Sequence, residues 1–148
     1  MINQKTDGIP QLITRIALGI GFLVPVSDRL GLLGPPGPAT AWGDWKHFTT
    51  YAHSIMPFLP EGLSDFNALV ATIFEVVFGI CLLLGFKTRL VAFGSAVLTL
   101  LFAIFMIISN GIMAPIKYPV FVFVGAGLLL ACVEHPKWSI DSVLKKNS

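Results

Sequence analysis

The stretch LVAFGSAVLTLLFAIFMIIS, Leu90 to Ser109, runs for twenty residues without a charge. At about 1.5 Å per residue a helix of that length reaches ~30 Å, the thickness of a bilayer's hydrocarbon core. Its Ser95, Thr99 and Ala103 fall at i, i+4 and i+8, so the few small and polar side chains share one face. The rest of the chain has the same character. Of 148 residues, 55% are hydrophobic and only 12% are charged, and the mean hydropathy is +0.80. Soluble domains carry about 25% charged residues, so this composition excludes an ordinary water-soluble domain and equally a disordered chain.

Three further apolar segments lie around that stretch. Phe66 to Phe86 is interrupted only by Glu75, and a tight turn, Gly85-Phe86-Lys87-Thr88-Arg89, joins it to the next as a helical hairpin. The first segment has a charge-free run of Ile16 to Ser27, and a full span must take in Arg15 at one end with Asp28 and Arg29 at the other. The last, Tyr118 to Val133, is short, and Pro115 before it and Pro119 at its start suit a break followed by a helix start. The expectation is an all-α, integral membrane four-helix bundle in a single domain, with spans near 11–31, 66–86, 90–109 and 118–133. The first ten residues are polar, and no cleavable leader is evident after them.

The long loop between the first two spans opens with Gly34-Pro35-Pro36-Gly37-Pro38, which cannot be helical. Beyond it Trp42, Trp45, Phe48, Ala52 and Ile55 recur at three and four, predicting a short amphipathic helix near 40–56 that ends at Pro57 and Pro60. Trp42, Trp45 and Tyr51 suit the headgroup level, as a belt or as a lid over a ligand.

Charge placement orients the bundle. Lys5, Arg15, Lys87, Arg89, Lys137, Lys145 and Lys146 share one side, against Arg29, Lys46 and Lys117 on the other. Seven against three places both termini in the cytoplasm. Lys87-Thr88-Arg89 reads as an anchor there, with a lipid headgroup site as the alternative. The net charge of +2 and the lack of a basic cluster exclude nucleic acid as a partner.

Glu75 is the most informative residue. A lone ionised carboxylate near the midplane costs about 2.5 to 3.5 kcal/mol, so it must be protonated, paired or wetted. Ala71, Glu75 and Gly79 share a face, which points Glu75 into the bundle. Ala17, Gly21, Pro25 and Asp28 on the first span, with Ser95, Thr99 and Ala103 on the third, supply the expected matching stripes. Arg15 is the obvious charged partner, although the axial offset is about 10 Å, near the limit of two extended side chains. Asp28 and Arg29 would pair with each other, with Asp65 or with the loop helix. His47, His53 and His135 lack the spacing for a haem or metal, and Cys81 and Cys132 read as small apolar residues. No catalytic motif or cofactor-binding motif is evident, so the chain reads as an accessory protein rather than an enzyme by itself.

In order and spacing these features resemble the DoxX family of small bacterial membrane proteins. The likeness rests on Arg15-Ile16-Ala17-Leu18-Gly19, on the loop with Trp42, Trp45, Phe48 and Pro57-Phe58-Leu59-Pro60, and on Glu75-Val76-Val77-Phe78-Gly79. It continues through Leu84-Gly85-Phe86-Lys87-Thr88-Arg89-Leu90 and the closing Trp138-Ser139-Ile140-Asp141. The resemblance implies a four-helix protein of the bacterial inner membrane. The family includes a membrane subunit of a thiosulfate:quinone oxidoreductase, which implies a quinone as ligand and soluble or membrane oxidoreductase subunits as partners. On this reading Glu75 hydrogen-bonds a quinone-like head group or relays a proton. The alternatives are a small proton-coupled or apolar-solute carrier built from a homo-oligomer, and a membrane scaffold.

Overall fold

The computed structural model describes residues 8–134 and 136–146; His135, Lys5 and the rest of the first seven residues lie outside it. Among the described residues seven helices follow one another: α1 Gly8–Arg29, α2 Trp45–Ile55, α3 Glu61–Leu84, α4 Thr88–Asn110, α5 Met113–Lys117, α6 Val120–Ala131 and α7 Ile140–Lys146. Among the described residues there is no strand. The helices α1, α3 and α4 are long and apolar enough to cross a membrane. Apolar side chains cover their outer faces: Ile13, Phe66, Leu90 and Phe93 are all exposed. In water such a surface would aggregate, whereas against lipid tails it costs nothing.

The last apolar segment, Tyr118 to Val133, forms a helix shorter than its own length, with a separate short turn before it. The single turn of α5 stops at Tyr118-Pro119, and α6 covers only twelve residues, about 18 Å of helix. Pro119 stands at its N-cap, so the break follows from a residue that cannot continue an incoming helix. At the other end of the hairpin, α3 starts at Glu61, directly after Pro60. Its polar first turn (Glu61, Ser64 and Asp65) extends the helix beyond its apolar stretch.

Helices α1 and α3 pack together, as do α4 and α6, and α3 with α4 joins the two pairs. Close backbone approach explains two glycines. A Cβ on Gly19 would come within 3.0 Å of the Gly79 carbonyl oxygen, and one on Gly79 within 3.2 Å of the Gly19 oxygen. Gly19 therefore faces α3, while Gly21 lies under Phe123 of α6 and Ala17 is exposed. The expected stripe of Ala17, Gly21, Pro25 and Asp28 is thus rotated from the true contact. A run of small residues at i+4 spacing marks a face without saying which neighbour takes it. Ser95, Thr99 and Ala103 are buried as a stripe, together with Ala92 and Ala96, against which Gly127 of α6 sits.

The hairpin closes through Gly85, which adopts φ 67°, with the Phe86 N–H donating to Cys81 oxygen and the Gly85 N–H to Leu82 oxygen. This arrangement satisfies carbonyls at the end of α3 and needs a residue free to adopt positive φ. On the opposite side, α2 lies over α3 and α4. Its apolar stripe of Phe48, Ala52 and Ile55 packs with Met56 and Ala68, and Trp42, Trp45, Tyr51, Leu59 and Phe105 surround it.

Candidate functional site

The site begins with two charges at the loop end of α1. Arg29 sits in its last turn, buried at 3% exposure, and turns its side chain back toward the bundle. Its Nη1 donates to Glu75 Oε2 at 2.6 Å and to Thr72 Oγ1 at 2.9 Å. Its Nη2 reaches Glu75 Oε1 only at 3.5 Å, and its Nε donates to the Pro25 carbonyl at 3.2 Å. Thr72 in turn donates to Ala68 oxygen at 2.8 Å. Glu75 is 4% exposed, and its partner is therefore Arg29. Arg15, the charged partner that the sequence offered despite its axial offset, does not pair with it. A guanidinium at a helix end can extend about one turn inward, and this reach brings residue 29 to the level of residues 72 and 75.

Aromatic rings cover the pair. The Arg29 guanidinium carbon lies 4.0 Å from the centre of the Phe48 ring and 5.2 Å from that of Trp42. At such distances a desolvated cation gains up to about 2 kcal/mol from the ring faces. Trp42 meets Phe48 edge-on at 5.3 Å and Tyr51 at 5.8 Å, and Trp45 meets Phe48 at 5.3 Å. Burial pushes the Tyr51 hydroxyl above its ordinary pKa.

Asp28 holds this cover in place. Its Oδ2 accepts from the Ala41 and Trp42 N–H groups at 2.9 and 2.8 Å, and its Oδ1 from Gly43 at 3.2 Å. Neither Asp65 nor Arg29 is its hydrogen-bond partner; the carboxylate folds the loop back so that Trp42 lies against Arg29. Asp65 instead meets His53 Nε2 at 2.8 Å, fixing α2 to α3. Asp44 caps α2 by accepting from the His47 N–H, and that bond with the His47 ring beside it holds the carboxyl below the usual carboxylate range. Ser109 ties α4 to the same unit through a 2.6 Å bond to Ile55 oxygen.

Not every candidate gathers here. Thr99 donates to Ser95 oxygen within its own helix at 2.7 Å, and the hydroxyl that joins the ion pair belongs to Thr72. Thr72 and Phe48 were absent from the sequence candidates. The signals were available: Thr72 precedes Glu75 by one turn on the same face, and Phe48 is the centre of the amphipathic stripe.

Arg15 forms a separate junction at the hairpin end. It is 1% exposed, and its nitrogens donate to main-chain oxygens of Leu82 (3.0 Å), Leu83 (3.2 Å), Lys137 (3.2 Å) and Trp138 (3.2 Å). Gln11, one turn earlier, donates to the Lys137 carbonyl at 2.8 Å. Helix end and returning tail are thereby locked to α1 by one guanidinium. Cys81 and Cys132 are both free thiols.

No curated protein and no solved structure matches the chain. A family model, DoxX, matches residues 11–108, a stretch that includes α1, the loop with α2, α3 and nearly all of α4. The match covers both Arg29 and Glu75 together with every residue that covers them, and the chain belongs to the DoxX family.

Proposed function

We propose that this DoxX protein is a multi-pass accessory subunit of a quinone-linked redox system in a bacterial inner membrane. Helices α5 and α6 together would make a broken fourth crossing beside α1, α3 and α4, with both termini in the cytoplasm. The observation that carries the reading is the buried Arg29–Glu75 pair beneath the rings of Phe48 and Trp42. An intramembrane ionisable residue is expensive and marks a functional site by default.

The residues present suit a quinone-type head group. Arg29 Nη2 is the least committed donor, with its bond to Glu75 drawn out to 3.5 Å, so a ligand carbonyl oxygen can compete for it. Phe48 and Trp42 offer flat faces for a planar ring once the loop moves. Glu75 is positioned to hold or release a proton beside that oxygen. When bound, a quinone accepts two electrons and two protons, and the electrons would come from a partner oxidoreductase. The chain's own part is to bind, orient and exclude water.

The test is quinone-linked electron transfer in membranes. Glu75→Gln should lower that activity at least about a hundredfold, the low end for a lost proton-transfer group, with the protein still inserted. Gln also leaves the Arg29 charge unpaired, so a second variant separates function from packing. Replacing a buried pair by apolar residues is often neutral or stabilising. Arg29→Met with Glu75→Leu should therefore retain thermal stability and lose activity. Full activity in that double variant would remove the pair from the chemistry. A scaffold role is the second reading, favoured by the several internal partners of Arg29, and full activity is the outcome it predicts.

A further inference from the structure

At the end of the bundle away from the Arg29–Glu75 pair, the α3–α4 hairpin and the tail border a groove of about 680 Å³. Lys87, Arg89, Lys137, Lys145 and Lys146 line it, against Glu134 and Asp141. The Asp141 carboxylate is already committed, accepting from the Lys87 N–H at 2.7 Å and the Thr88 N–H at 2.8 Å. Thr88 also lines the groove, and its own N–H is taken up by the same Asp141 carboxylate. With Asp141 committed to the backbone, the positive side chains outnumber the acids, and an anionic oxygen is the group they would draw into the groove.

A second groove, of about 360 Å³, adjoins the first and shares Lys87 and Leu90 with it. Its other walls are apolar, among them Val77, Phe78, Phe86 and Phe93 of the α3–α4 hairpin. A basic groove at a span's end that continues into an apolar furrow between two membrane helices has the two-part chemistry of a phospholipid.

We propose that the two grooves form one site for an anionic phospholipid, its phosphate between Lys87 and Arg89 and an acyl chain between α3 and α4. A free phosphate would use only the first groove. Each basic residue near an anionic lipid surface is worth about fivefold in affinity. Removing two lowers it by about an order of magnitude or more.

The full chain in mild detergent would be mixed with phosphatidylglycerol, with phosphatidylcholine of the same acyl chains, or with inorganic phosphate. Native mass spectrometry and thermal unfolding then report binding. Phosphatidylglycerol should be retained about tenfold over phosphatidylcholine and raise the melting temperature, while phosphate leaves it unchanged. Lys87→Gln with Arg89→Gln should remove the preference. Should that variant fail to fold, Lys145→Gln with Lys146→Gln, on exposed positions of α7, should weaken it instead. Equal retention of the two lipids, an equal shift with phosphate, or undiminished preference in the folded variants would each overturn the proposal.

Discussion

Arg29 keeps its charge inside an apolar bundle because each partner removes part of the desolvation cost. Glu75 cancels the charge, Thr72 and the Pro25 carbonyl satisfy nitrogens, and Phe48 and Trp42 replace water over the plane. Asp28, next in sequence, does the complementary work on the loop, where three backbone N–H groups converge on one carboxylate. Asp28→Ala would leave those donors without a partner and free Trp42 from the guanidinium. Hydrogen bonds to a charged group are worth about 1.5–3 kcal/mol each, and part of the loop can turn to water. A loss of about 3 kcal/mol of stability in detergent is expected, together with a red-shifted tryptophan emission. Asn in place of Asp should lose about half as much, since one side-chain oxygen still accepts. An unchanged melting temperature in the alanine variant would show that the loop is held without Asp28.

Helix α2 depends on its cap and on its apolar stripe. The Asp44 carboxyl is depressed by the His47 N–H and ring, so its contribution is present above the ordinary carboxylate pKa of about 3.9 and fades as pH falls through the lower folded value. Hydrogen exchange in the first turn of α2, corrected for intrinsic rates, should therefore rise below about pH 4, and Asp44→Ala should remove that pH step. At the α1–α3 crossing the limit is steric. A Cβ at Gly79 already meets Leu23 at 2.7 Å, so Gly79→Leu should force the helices apart and cost about 1–3 kcal/mol by overpacking. Wild-type stability in that variant would contradict the close approach. Among these elements, what could be read from sequence follows the physics of each signal. Long apolar runs, one of them broken only by Glu75, announced α3 and α4, and the Trp42 to Ile55 periodicity announced α2. Glu75 stood out because a carboxylate in such a run has no local explanation. Its partner did not, because pairing is tertiary: Arg15 and Arg29 bracket the same helix, and only the register of α1 against α3 decides between them. That register is set at Gly19 and Gly79, whose role appears only when two backbones are brought together.

At the scale of the molecule, polar chemistry is concentrated at the two ends of an apolar body, and the ends differ. The loop end holds one buried ion pair sealed by rings, whereas the hairpin end holds Arg15 with its carbonyls and a basic groove. The expected difference in positive charge, seven against three as the sequence would divide between the two sides, is the quantity that orients a multi-pass protein during insertion. Orientation can be read by labelling single cysteines in a background carrying Cys81→Ser and Cys132→Ser. Thr40→Cys, in the exposed Gly/Pro-rich loop, should react with a membrane-impermeant maleimide in intact bacterial cells. Lys146→Cys, in α7, should react only after permeabilisation. The cause can be tested separately. Lys87→Glu with Arg89→Glu leaves five positive residues on the hairpin side against three, so part of the population should insert inverted and label at both sites. Because the rule counts Lys and Arg and gives little weight to acids, Lys87→Gln with Arg89→Gln should shift orientation almost as far. Labelling of Lys146→Cys in intact cells, with Thr40→Cys protected, would reverse the assignment. It would place the aromatic cover and the Arg29–Glu75 pair on the cytoplasmic side, where a soluble oxidoreductase could reach them directly.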